Sequence, residues 1–338
     1  MTMTLPSAAK PVAKRDGDHA RDRSTWLIDR APFLIACGML AVLIAIYGTL
    51  REGVFSFEEL NLDTAAAMTL LLAATGQTIV LLRGGIDLSI GGMISLGTVL
   101  AATQFGGSPL QVAFAAVMIA LLGFAIGVCN GLLISVLRLQ PFLVTLATWS
   151  ILSGTALMIL PTDGGQLPDF WMAFGNASLL GVSSSVGLLV LLVLFWVWFR
   201  STRLGIEIRA TGSNQRSAEL SGVSILRINL LAYGLSGLFA ALAALYLTTQ
   251  TGTGSPTIGK DYILPSVAAA VIGGISLFGG RGGMIGTIVG AFILTIIGNL
   301  VFVLQVSSYW QPVVSGVILL VAVLASSLAE KSARRSLS

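Results

Sequence analysis

Ten apolar runs order this chain: 31–50, 62–82, 88–103, 109–136, 141–160, 184–199, 228–249, 262–279, 283–304 and 309–328. An α-helix rises about 1.5 Å per residue, so about 20 apolar residues cross a hydrocarbon layer of about 30 Å. The runs are continuous rather than alternating, which predicts helices and not the ten-residue strands of a barrel. Run 109–136 exceeds a single crossing and predicts a tilted helix or one that projects beyond the bilayer. The expected fold is all-α and polytopic, with about ten transmembrane helices.

The polar positions between the runs set an orientation. With the N-terminus inside, the inner segments hold Arg83, Arg138, Arg200, Arg203, Arg209, Arg216, Arg227, Arg281, Lys331, Arg334, Arg335 and the six basic residues of the N-terminal stretch. Only Arg51 and Lys260 then fall outside, beside Glu52, Glu58, Glu59, Asp163 and Asp169. Positive charge concentrates on the cytoplasmic side of membrane proteins, so both termini are expected in the cytosol. Residues 1–30 read as a disordered basic tail, 31–328 as the membrane domain, 200–227 as a cytosolic loop within it, and 329–338 as a second tail.

Composition sharpens the class. Of 338 residues 55% are hydrophobic and only 10% charged, with a mean hydropathy of +0.91. A soluble domain needs more charge to cover its surface. Cys37 and Cys129 lie inside apolar runs, which argues against a disulfide framework. The single His19 sits in the polar tail and argues against a histidine metal site.

The halves share landmarks. Asn130 precedes Gln140-Pro141 between runs four and five, and Asn299 precedes Gln311-Pro312 between runs nine and ten. The offset is about 170 residues, and the two pairs fall on opposite faces, as in an inverted repeat of runs 2–5 and 7–10.

Two inner segments carry chemistry. In LLRGGIDLSIGG, Leu81–Gly92, Gly84 and Gly85 permit a tight reversal, and Asp87 or Ser89 can cap the helix that follows. The same turn can instead line a gated cavity, because irregular backbone at membrane depth needs protein or water around it. In Gly205–Arg227, Ser213 or Asn214 can cap a helix of about two turns, and Gly222 can end it. Such a helix is too short to stand alone in water and needs a partner surface. Gly254–Asp261 nearly matches a phosphate-binding loop, but Asp261 replaces the magnesium-binding hydroxyl and would repel phosphate. Gly123, Gly127 and Gly131, like Gly286 and Gly290, have the spacing that lets helices approach closely, and internal contacts are the expected use.

In order, GGIDLSIGG, NGLLISVLRLQPFLVTLATWSILSG, ATGSNQRSAELSG, VIGGISLFGGRGGMIGTIVGA and SSYWQPVVSGVILL resemble the membrane permease subunits of bacterial ABC sugar importers of the ribose/xylose/galactoside type. The likeness runs from about residue 60 to 328. It implies an inner-membrane subunit that pairs with a second permease chain, identical or sister. A cytosolic ABC ATPase would dock on the inner loops and bind the ATP and magnesium, so this chain holds no cofactor and is no enzyme. A periplasmic binding protein would deliver a monosaccharide. By resemblance Asn214–Leu220 is the coupling helix, with Arg216 and Glu219 on it and Arg209, Gly212 and Gly222 framing it.

A sugar path needs amides and hydroxyls. Gln77, Asn130, Thr145, Thr148, Asn299 and Gln305 supply them within or beside the runs, and Asp87 and Ser89 lie at the polar turn. Each can instead bond a neighbouring helix. No chain of Asp, Glu, His or Lys crosses the run interiors, which disfavours a proton relay. Two other readings stay open: a permease for another neutral solute, such as a polyol or autoinducer, and an ion-coupled secondary carrier.

Overall fold

The computed structural model describes residues 17–179, 181–307, 310, 313–314, 316–317 and 320. Among the described residues the elements follow in order: α1 Gly17–Leu50, α2 Phe57–Arg83, α3 Ser89–Gln104, α4 Pro109–Val136, α5 Pro141–Ile159, α6 Asp169–Gly175, β1 Ser178–Leu179, β2 Val182–Ser183, α7 Ser184–Ser201, α8 Arg203–Ser213, α9 Gln215–Leu220, α10 Ile225–Thr251, α11 Lys260–Ile272 and α12 Met284–Val303. Among the described residues seven helices are long and apolar enough to cross a membrane: α2, α4, α5, α7, α10, α12 and the Pro32–Leu50 part of α1. The tenth apolar run, 309–328, lies largely outside the described residues.

Local chemistry sets the helix ends. Ser56 opens α2 by accepting from the Glu59 N–H (3.1 Å), and Gly84 closes it in the left-handed conformation at φ 90°. Its N–H returns to the Leu81 carbonyl (2.8 Å) and that of Gly85 to the Val80 carbonyl (3.0 Å), which satisfies carbonyls that a helix end leaves open. Gly252, at φ 68°, closes α10 the same way.

Two expectations need correction. The run 262–279 is helical only to Ile272; Gly274 then takes φ 91°, and the chain turns through glycines at 279, 280 and 282 instead of completing a span. The segment before residue 214 is a helix, α8, with Ile208 and Thr211 buried on one side, rather than loop. In addition, α1 begins at Gly17, ahead of its apolar run.

Burial sorts the helices into centre and rim. Inside the molecule lie 89% of the α2 span and 72% of the α10 span, against 22% for α4, α5 and α7. The rim helices expose Phe114, Val117, Leu121, Ile151 and Leu191, side chains suited to hydrocarbon. The short helices α3 and α11 each follow a 27-residue helix. Each also packs on the connection of the other. Ser95 of α3 accepts from the Gly259 N–H (3.0 Å), and Ile86 of the α2–α3 turn packs against Ala270 and Ile275.

Helix contact here is backbone against backbone. A Cβ on Gly123, Gly127 or Gly131 of α4 would strike the carbonyl oxygen of Gly237, Tyr233 or Asn229 on α10. The partners run in opposite directions at four-residue steps, an antiparallel glycine seam. Gly286 and Gly290 seat α12 on Gly273 and Ala269 likewise. Both glycine sets serve internal contacts. Gly127→Val should cost about 1–3 kcal/mol or more, because the obstacle is backbone and cannot rotate away. Gly154→Ala, with nothing within 4 Å, should be neutral or stabilising by up to about 1 kcal/mol. Melting of the detergent-solubilised chain, followed by loss of its monodisperse elution peak, checks both.

Candidate functional site

The polar turn of the α2–α3 connection lies at the centre of the molecule. Asp87 is 1% exposed. Its Oδ1 accepts from the Ser89 N–H (2.9 Å) and Ser89 Oγ (2.5 Å), and its Oδ2 from Ser236 Oγ of α10 (2.7 Å). Ser89 Oγ accepts from Asn130 Nδ2 of α4 (2.9 Å), and Asn130 Oδ1 accepts from Thr148 Oγ1 of α5 (2.6 Å). Every donor in this chain points toward the carboxylate, so the bonds polarise one another in one direction. The chain of bonds links α3, α4, α5 and α10, with Asp87 joining α3 to α10 and Asn130 joining α4 to α5. Asp87 thus holds the entry turn of α3 through Ser89, with Leu88 at the cap position making no side-chain bond, and ends a buried network; the turn and the polar core are the same object.

Other residues singled out from the sequence sit elsewhere. Thr145 donates to the Pro141 carbonyl of its own helix (2.9 Å), with the Ile86 carbonyl at 3.4 Å. Gln77 is fully buried, and among the described residues neither of its amide atoms has a hydrogen-bond partner. Asn299 lies at the other end of the molecule and donates to Asp63 Oδ1 (2.7 Å). It lines a cavity of about 220 Å³ with Tyr47, Arg51, Glu59, Asp63 and Phe302. There the Arg51 guanidinium pairs with Glu59 (2.9 Å), and Tyr47 OH donates to the same carboxylate (2.8 Å). Gln305 follows α12 at φ 53°.

At the arginine-rich end, α9 stands as a separate six-residue helix. Asn214 caps it, accepting from the Ser217 N–H (3.0 Å), and Gly222 at φ 85° turns the chain away. Its Arg216, Glu219 and Leu220 are exposed, as is Arg209 on α8. The root of α9 is tightly held. Gly212 lies against the Leu82 carbonyl, where a Cβ would collide, and that carbonyl accepts from the Gly280 N–H (2.9 Å).

Arg83, counted from the sequence only among the inner positive charges, forms a second junction. Its Nε donates to Asn229 Oδ1, its Nη2 reaches Gln215 Oε1 of α9 (3.3 Å), and Asn229 Nδ2 donates to Ser135 Oγ of α4 (2.7 Å). One guanidinium thus bridges α2, α9 and α10, and through Asn229 also α4. Asn229, Tyr233 and Ser236 recur at i, i+4 and i+7 on α10, a polar face whose period was visible in the chain.

The network gives a discriminating prediction. An amide at position 87 has one acceptor oxygen where the carboxylate has two, so a donor from Ser89 or Ser236 is left facing an NH₂ group. Asp87→Asn should cost about 1–3 kcal/mol and Ser236→Ala less, since the latter leaves Asp87 two donors. Thermal unfolding of the two variants in the same detergent checks the order.

Residues 64–323 match the family described as branched-chain amino acid transport system / permease component. The ribose import permease protein RbsC of Escherichia coli K12 is 36% identical over 88% of this chain and 94% of its own length. RbsC of Bacillus subtilis is 36% identical over 75% of the chain and 80% of its own length. The D-allose transport system permease protein AlsC of E. coli K12 is 34% identical over 87% and 91%, and the autoinducer 2 import system permease protein LsrC of E. coli O157:H7 is 34% identical over 83% of each. No solved structure matches the chain. Its match over most of its length, together with seven apolar helices of spanning length, means that the chain is a multi-pass membrane protein belonging to the permease family of ABC importers that includes these sugar-import permeases.

Proposed function

We propose that the chain is the membrane subunit of an ATP-driven, binding-protein-dependent importer of a monosaccharide in the bacterial inner membrane. It forms the translocation path with a second permease chain. A cytosolic ABC ATPase carries the ATP and magnesium, and a periplasmic sugar-binding protein delivers the solute. Both termini then lie in the cytosol, and the long–short pairs α2–α3 and α10–α11 belong to the two halves of an inverted repeat. Similarity to ribose and allose permeases supports the sugar. Similarity to LsrC supports a second reading, another small neutral solute.

The observation that carries the reading is the exposed helix α9 on its rigid root. A six-residue helix has no stability of its own. Here Asn214, Gly212 and Arg83 lock it to the ends of α2 and α10. A partner that pushes on Arg216, Glu219 and Leu220 therefore moves the two most buried helices of the molecule. Alternating access follows if that motion rocks the helix groups that meet at Asp87. The network of hydroxyls, an amide and one carboxylate would serve as their joint, and Thr145, Gln77 and Asn299 remain candidates for the path.

Reconstitution tests this reading. With its ATPase and binding protein, the chain should concentrate radiolabelled ribose or allose in vesicles only when ATP is supplied. Uptake by the chain alone under a sodium or proton gradient would overturn it in favour of a secondary carrier. Arg83→Gln severs the bridge from Gln215 to Asn229. It should cut uptake about ten- to hundredfold, while ATPase binding and the binding protein's sugar affinity persist; the cost corresponds to one charge-assisted contact of about 1.5–3 kcal/mol. Glu219→Lys should weaken ATPase binding itself, measured as subunit ratio after purification.

A further inference from the structure

The connection between α11 and α12 carries a side chain that packing does not explain. Ser276, Gly279 and Gly280 are buried, yet Phe278 among them is 74% exposed. The loop around it is braced from within. The Ser276 N–H donates to the Arg281 carbonyl (3.2 Å) and the Gly279 N–H to the Ser276 carbonyl (3.1 Å). The Phe278 N–H donates to Ser276 Oγ (3.2 Å). Gly279, Gly280 and Gly282 hold φ values of 90°, 74° and 101°, which side-chain-bearing residues rarely adopt. The phenyl ring is thus held outward by a shaped loop.

This loop abuts the root of α9. A Cβ on Gly279 would lie 3.0 Å from Gly212 Cα, and one on Gly280 would lie 2.7 Å from Ser213 Cα. Asn214, the next residue, caps α9. At the far end of that helix Leu220 is 83% exposed. Six residues at about 1.5 Å each make α9 about 9 Å long, so loop and helix fall within the footprint of one ordinary interface. Arg216, Glu219 and Arg281 are exposed around them. Two large apolar side chains rimmed by charge have the anatomy of an interface core.

We propose that Phe278 is a second docking residue for the same ATPase that seats on α9. The proposal rests on the reading of α9 as that subunit's docking helix. Continuity argues for the occupant: α9 and the loop share one packed root, so a subunit large enough to grip the first meets the second. The consequence is mechanical. Helix α9 is tied to the end of α2 through Gly212 and Arg83, and the Phe278 loop to the same end of α2 through the Gly280 N–H. A two-point grip would therefore drive the end of α2, the root of α9 and the α11–α12 connection as one body.

The test uses the full importer in its native membrane. Photo-crosslinking from Phe278→benzoylphenylalanine should label the ATPase, as should Leu220→benzoylphenylalanine, with the adduct identified by mass spectrometry. Phe278→Ser should lower ATP-driven uptake about tenfold, and Phe278→Leu should retain most of it, as expected for an apolar anchor. Adducts from position 278 confined to lipid or to this chain, while position 220 labels the ATPase, would overturn the proposal alone. Failure of both positions to label the ATPase would remove the α9 reading and this proposal with it.

Discussion

The glycine seam between α4 and α10 is the constraint on which the rest of the structure depends. Within a bilayer no hydrophobic force drives apolar helices together, so association rests on close packing and hydrogen bonding. Gly123, Gly127 and Gly131 lie directly on the backbone of α10. Gly76 brings α2 to the same helix at Ser236, where a Cβ would lie 2.9 Å from the carbonyl oxygen. Only at that separation can short side chains connect neighbours. Ser236 reaches Asp87, Ser89 reaches Asp87 and Asn130, and Asn229 reaches Ser135. Bulkier residues on the seam would move those groups out of range and leave a buried carboxylate without donors, a costly state.

Glycine also shapes the arginine-rich end, there by conformation as much as by size. Leu82 terminates its helix with a carbonyl that accepts from Gly280 and is overlaid by Gly212. Three chain segments, distant in sequence, thus converge on one peptide unit. The opposite end is also tied by bonds distant in sequence: the Gly164–Gly254 bridge, Asn61 to the Gly181 carbonyl and the Ser183 N–H, Thr98 to the Ser255 carbonyl and Trp171 to Thr248.

Much of this was legible in the chain. Runs of apolar residues located α2, α4, α5, α7, α10 and α12 because span length is set by the bilayer and leaves a continuous signal. The cap at Asn214 and the stop at Gly222 were legible because both are local. What escaped was of two kinds. The end of α11 at Ile272 was hidden by an apolar run that continues past Gly273-Gly274, where the backbone breaks although the hydropathy does not. The Asp87–Ser236 bond joins residues 149 positions apart, and no local pattern specifies such a pair. Helix α8 could have been found, since Leu204, Ile208 and Thr211 follow a helical period.

The short helices then acquire a mechanical meaning. Each packs against the other's entry turn: α3 holds Gly259 through Ser95, and the α2–α3 turn holds Ala270 and Ile275 through Ile86. Neither α3 nor α11 can shift alone without disturbing the connection that positions its counterpart. On the proposed function, motion delivered at the root of α9 would enter α2 at Leu82 and Arg83, one step from the turn that carries Ile86 and Asp87. The same motion would reach the buried carboxylate and the second short helix together. Interfaces of this closeness repack between discrete arrangements rather than deform gradually, so under the proposed function the reciprocal pair of short helices would make the two sides change state together.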